Sequence, residues 1–162
     1  MSNNPSSCLP EATPATWLTP IPANLDYSFD LPAAAYCLSM ARTAVRRLLT
    51  DHGLSDMSDL GTFAASELLA NAYQFTPGRN ASLTMRWRFG VLRLTVFDEH
   101  PAHSRRAQQT CQARRRASLS TLDAMVSACG GIVGLDDAGG PLAGSKMWVA
   151  ISREAARAYA AL

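Results

Sequence analysis

The chain has 162 residues, 48% of them apolar and 17% charged, which suits one compact domain with a core of its own and excludes wholesale disorder. Its formal net charge is only +2, too weak for total charge to argue for a nucleic-acid binder, and Lys146 is the sole lysine among 15 basic residues. Cys8, Cys37, Cys111 and Cys129 are widely spaced with no Cys-x-x-Cys pair, which argues against both a zinc site and a disulfide framework and for idle thiols. No run approaches the ~18 apolar residues of a membrane span. The first residues offer Asn, Pro and Ser where a secretory leader needs basic residues and then an apolar stretch, so the expected location is cytoplasmic.

Residues 1–25 carry five prolines among Ser, Thr and Asn and read as a flexible arm, although Trp17 and Leu18 are apolar enough to dock somewhere. Residues 26–162 read as the folded domain. Tyr27, Phe29 and Leu31 alternate with polar neighbours and predict a short strand. Pro32 suits a first helical turn, and from Ala33 to about His52 the apolar residues recur at helical spacing before Gly53 stops them. A second helix is predicted from about Asp56 to Phe75, ended by Pro77-Gly78. Leu83 to Phe89 and Leu92 to Val96 alternate around Gly90, which predicts a hairpin. Residues 99–117 are polar throughout and read as a long loop, able to act as a lid. Ser120-Thr-Leu-Asp123 then reads as a capping box opening a helix to about Cys129. Ile132 to Leu135 and Met147 to Ile151 read as strands flanking a turn-rich stretch from Asp136 to Gly144, and a short helix from about Glu154 to Ala160 closes the chain. The expected class is α+β, with helices on one face of a mostly antiparallel sheet.

The second helix carries an anomaly. Taking about 100° per residue from Leu60, Ala64 falls at about 40°, Leu68 at about 80° and Phe75 at about 60°, while Glu67 falls at about −20° and Asn71 at about 20°. Two strongly polar side chains thus sit on the apolar stripe, where burial is costly unless something satisfies them. A hydrogen-bonded pair in the core is one reading. The other is chemical, because a carboxylate can act as a base and an amide oxygen can ligate a hard cation. Asp98 ends the strand from Val91 to Phe97. It is either a plain strand terminator or an acceptor for the exocyclic amine of a purine.

Ser66-Glu-Leu-Leu-Ala-Asn71-Ala, then a hairpin ending Val96-Phe-Asp98, then a helix and Gly144-Ser-Lys-Met-Trp-Val-Ala-Ile151, form an order that resembles the GHKL ATPase superfamily. Within it the resemblance is to the anti-sigma-factor serine/threonine kinase branch, the small histidine-kinase-like ATP-binding regulators, over about residues 26–152. The resemblance implies a two-layer Bergerat sandwich with ATP and Mg2+ as cofactors. It implies that Asn71 ligates Mg2+ bridging the ATP phosphates. Glu67 would be the catalytic residue, orienting or deprotonating a serine or threonine hydroxyl on a partner protein, and Asp98 would read the adenine amino group. The implied partners are a sigma factor or a STAS-type anti-sigma-factor antagonist, and the implied role is transcription regulation. Relatives of this kind often dimerise, which implies a homodimer.

The chain also departs from that pattern. Where a Gly-x-Gly should open the third helix and cradle phosphates on backbone N–H groups, the alignment places Arg116, Ala117 and Ser118. The position of the usual threonine in the last strand falls near Lys146 or Met147. Ser118 and Lys146 are therefore carried as the cofactor-binding candidates at those places. Between Glu99 and Asp123 there is no acid, and Arg105, Arg106, Arg114, Arg115 and Arg116 accumulate there. They read as a solvated loop, as a substitute for the lost phosphate cradle, or as a patch for an acidic partner. No aromatic residue accompanies them, so stacking on bases is unsupported and nucleic acid is not the expected partner. His100 and His103 read as loop residues. Two functions stay open. One is an ATP/Mg2+-binding regulator that phosphorylates a partner. The other is a degenerate protein-interaction module of the same fold that has lost nucleotide.

Overall fold

The computed structural model describes residues 19–137 and 144–162. Trp17, Leu18 and most of the turn-rich stretch before Gly144 lie outside the described residues. The elements in chain order are β1 (Asp26–Pro32), α1 (Ala35–Asp51), α2 (Ser58–Phe75), β2 (Asn80–Arg88), β3 (Val91–Asp98), α3 (Arg105–Ser118), α4 (Ser120–Ala128), β4 (Ile132–Asp137), β5 (Ser145–Ser152) and α5 (Arg153–Ala160). The strands form one five-stranded sheet in the order β1-β2-β3-β5-β4, with every neighbouring pair antiparallel. The helices cover one face of it, an α+β two-layer sandwich as the alternation of periods predicted.

Period-two alternation sets which face is covered. Leu83 and Met85 on β2, Leu92, Leu94 and Val96 on β3, and Met147, Val149 and Ile151 on β5 are fully buried under the helices. Each such side chain contributes roughly 1.5–3 kcal/mol by leaving water. From the helix side α1 buries Cys37, Ala41, Val45 and Leu49 at i, i+4 spacing, and α2 buries Leu60, Ala64 and Leu68. Gly61 marks the closest approach, since a Cβ there would stand 2.9 Å from Leu49 and 3.3 Å from Leu92.

The other face of the sheet carries polar residues and one aromatic cluster. Trp148 lies flat over Gly134, where a Cβ would meet its ring at 2.3 Å. Its Nε1 donates to Asp136 at 2.9 Å, and the Arg93 guanidinium sits 4.5 Å from the ring centroid.

Four local expectations change. The predicted loop 99–117 is largely the helix α3. No capping box opens α4: its N-cap is Leu119 without a side-chain cap, because α3 runs almost directly into it. Pro32 ends β1 rather than starting a helix, whose first residue is Ala35. Phe89 is not a strand residue but the first of two turn residues, Phe89 and Gly90, at φ 53° and 78°, with its ring fully in solvent. The folded part also begins before residue 26. Leu25 is fully buried, and Ile21 accepts through its carbonyl from Nδ1 of the buried His52 at 2.7 Å. That bond fixes the tautomer, so Nε2 of His52 accepts from the Tyr27 hydroxyl at 2.8 Å.

Candidate functional site

Three elements converge at one end of the sheet. The sheet face places Asp98 there as the last residue of β3, in register between Ala81 and Ser145 and fully shielded from solvent. The inward stripe of α2 brings Asn71 to the same place, 1% exposed. The third contributor is Arg115 of α3, also 1% exposed.

Arg115 joins the other two. Its terminal nitrogens face the Asp98 carboxylate as a fork, with Nη1 at 3.1 Å from Oδ1 and Nη2 bonded to Oδ2. Nε donates to Asn71 Oδ1 at 3.0 Å, and Asn71 Nδ2 donates back to the Arg115 carbonyl at 3.0 Å. Nη2 also approaches the Met147 sulfur at 3.3 Å, and the guanidinium lies over the Phe75 ring at 5.4 Å from its centroid. A planar fork with diverging donors matches a carboxylate and an amide at once, which a lysine could not do. The charges cancel within the cluster, and the polar atoms are satisfied, as burial requires.

Arg115 engages the side-chain oxygen of Asn71 and both carboxylate oxygens of Asp98, and almost none of the cluster is exposed to solvent. The Asn71 amide oxygen, which would ligate a cation, accepts from Arg115, and both carboxylate oxygens of Asp98 face the same cation. The residues therefore do not fit Mg2+ or an adenine in this arrangement. A guanidinium fills the space where the resemblance places the base.

The remaining candidates lie elsewhere. Glu67 is half-buried and lines an open depression of about 570 Å3 with Arg42, Arg46, Asp59, Ser66 and Tyr159, on the side of α2 that faces α1 and α5. One turn separates it from Asn71, which lies in the buried cluster and does not line that depression. Ser118 donates its hydroxyl to the Gln74 side chain at 2.9 Å on the surface. Lys146 is exposed on the open face of the sheet, paired in register with Phe97 and Asp136. Of the five candidates the structure brings together Asn71 and Asp98.

Arg115 is the residue that sequence reasoning missed, because the five arginines between Glu99 and Asp123 read as a group, whether as loop charge, a phosphate cradle or a partner patch. Of the other four, Arg105, Arg106 and Arg114 are exposed on α3. Arg116, exposed as well, reaches the Leu135 carbonyl at 3.1 Å. The signal that could have found it is a helical repeat. Cys111, Arg115, Leu119, Leu122 and Val126 follow three- and four-residue steps across both helices, and from Arg115 onward every member is buried.

Just beyond the cluster, His100 is half-buried. Burial pushes its imidazole below the usual 6.5, and the Arg115 charge adds to that, with Asp98 pulling the other way. No family model matches this sequence, and no curated protein matches it either.

Proposed function

We propose that this protein is a regulatory protein-interaction module on a Bergerat-type sandwich, in which Arg115 takes the nucleotide's place. The observation that carries the reading is the closed triad: Asn71, Asp98 and Arg115 satisfy one another with essentially no exposure. Evicting Arg115 would strip the buried Asp98 of its counter-charge and the Asn71 amide oxygen of its donor, a cost that nucleotide binding must first meet. Glu67 lines a depression beside α1 and α5 and not the buried triad, which supports the reading without a reaction at Asn71 and Asp98.

Contact with another protein is supported by the outer surface of α1. Tyr36 and Met40, one turn apart, are 64% and 59% exposed. Large apolar side chains exposed side by side favour a macromolecular contact over bulk water. The partners suggested by the sequence resemblance, a sigma factor or a STAS-type antagonist, are the candidates to test, and a second copy of the chain is another.

Calorimetric titration with MgATP tests the reading. The expected result is no binding heat and no rise in melting temperature for the wild-type chain, because a ligand that binds only the folded state must stabilise it. Binding to the wild type that Asn71→Ala and Asp98→Ala each abolish would overturn it and restore the ATP-dependent kinase reading.

A further inference from the structure

We propose that His100, His103 and Cys111 form a binding site for a thiophilic divalent cation, Zn2+ in the first place, which clamps the segment leaving β3 to helix α3. Folding of α3 brings Cys111 over the two histidines. Nε2 of His100 lies 2.8 Å from Nε2 of His103 and 3.1 Å from Sγ of Cys111. All three donor atoms lie within 4.8 Å of one another.

Hydrogen bonding alone serves this cluster poorly. An imidazole nitrogen has one in-plane position, holding either a proton or a lone pair. Nε2 of His100 faces two partners at hydrogen-bond distance, so one contact is always left without a well-directed bond. The other nitrogen, Nδ1, is shut off from solvent and has no hydrogen-bond partner among the described residues.

A single cation satisfies all three groups. Tetrahedral Zn2+ with Zn–N of about 2.0–2.1 Å and Zn–S of about 2.3 Å sets donor atoms roughly 3.3–3.6 Å apart. The two contacts to His100 need to open by about half an ångström to reach that spacing, and all three donor atoms already lie within 4.8 Å of one another. His103 is exposed and Cys111 is only half-buried, so both have room to move. Two imidazoles and a thiolate select a borderline-soft ion and disfavour Mg2+ or Ca2+, which take oxygen ligands. Solvent supplies the fourth position. Binding exchanges the Cys111 S–H proton for the metal and releases it to water.

The position gives the site a consequence. Cys111 lies one helical turn before Arg115, and His100 lies two residues after Asp98. A cation tied to His100, His103 and Cys111 therefore fixes α3 against the end of β3, and with it the Arg115–Asp98 contact. The site itself does not rest on the protein-interaction reading, since it stands whether or not nucleotide binds nearby.

The test is Zn2+ binding to the full chain under reducing conditions, measured by competition with a chromophoric chelator, alongside Co2+ spectra. The wild type should bind one equivalent, and the Co2+ form should show a thiolate-to-cobalt charge-transfer band. His103→Gln, a change at an exposed position that leaves the fold intact, and Cys111→Ser should each weaken binding by more than the roughly 10–100-fold that loss of a mere outer partner costs. Cys111→Ser should also remove the charge-transfer band, whereas Cys37→Ser and Cys8→Ser should leave affinity and spectrum unchanged. A wild type that binds no tighter than these two ligand variants, or a charge-transfer band that survives Cys111→Ser, overturns the proposal.

Discussion

Replacing Arg115 with methionine isolates what the buried cluster contributes. The substitution keeps much of the side chain's length and apolar stem but removes the guanidinium. Asp98, fully buried, then has no counter-charge, and the Asn71 amide oxygen loses its donor. Breaking a buried pair by removing one partner costs about 3–5 kcal/mol, because the other charge stays desolvated. For a chain of this size about 1 kcal/mol moves the melting temperature by about 2–4 °C, so the expected fall is roughly 6–20 °C. Replacing both partners, Arg115→Met with Asp98→Leu, removes the stranded charge and should recover most of the loss, since apolar replacement of a whole buried pair is often neutral. Urea unfolding of the wild type, both single variants and the double variant gives the coupling directly, provided the m-values agree. A cost below about 1 kcal/mol for Arg115→Met would match an exposed ion pair and refute the buried cluster. Strict additivity in the double variant would refute the pairing.

Three further outcomes follow from local geometry. Phe89→Asn should stabilise the protein by roughly 0.5–1 kcal/mol in urea unfolding, because Phe89 sits at φ 53° in a two-residue hairpin turn, fully exposed, where Asn before Gly is favoured. Gly144→Ala should destabilise by about 1–3 kcal/mol, since its Cβ would stand 2.5 Å from the Asp98 carbonyl oxygen, a backbone atom that cannot move aside. In the presence of a chelator, stability should decline as pH falls from about 7 toward about 5. His100, facing Arg115, Asp98, His103 and Cys111, has its imidazole held below 6.5, so the unfolded chain takes up that proton first. The contribution is complete above the unfolded value and lost on the acid side, and His100→Gln should flatten that part of the profile. An unchanged slope would remove His100 as its source.

Much of this architecture can be read from periodicity. The alternation in Leu83–Trp87 and Leu92–Val96 and the helical stripes of α1 and α2 match the observed buried faces. These elements pack apolar residues against a common core, so their patterns are dense. Helix α3 is opaque for the opposite reason. Its inward stripe is built from Cys111 and Arg115 rather than Leu or Val, and its outward face is Arg, Gln and Ser, so α3 taken alone has no apolar period, and the repeat shows only when it is followed on through Leu119, Leu122 and Val126. The same holds for the site. Asn71 and Asp98 announce themselves as polar residues at buried positions, and the structure does bring them together. Their partner was hidden because a buried arginine looks, in sequence, like its exposed neighbours at 114 and 116. Glu67 shows the limit of wheel arithmetic. At about 40° from Asn71 on the helix it shares a stripe, but α1 and α5 face it while α3 faces Asn71.

The Arg115 Nε–H gives the most direct view of whether the Asn71–Asp98 site is closed. It is bonded to the Asn71 oxygen inside a cluster with almost no exposure, so its amide-like proton should resonate as a resolved NMR signal and exchange with solvent slowly. Saturating MgATP should leave that signal unchanged. Exchange at the rate of a free arginine, or loss of the signal on adding MgATP, would mean that the guanidinium leaves the site and that a ligand takes its place.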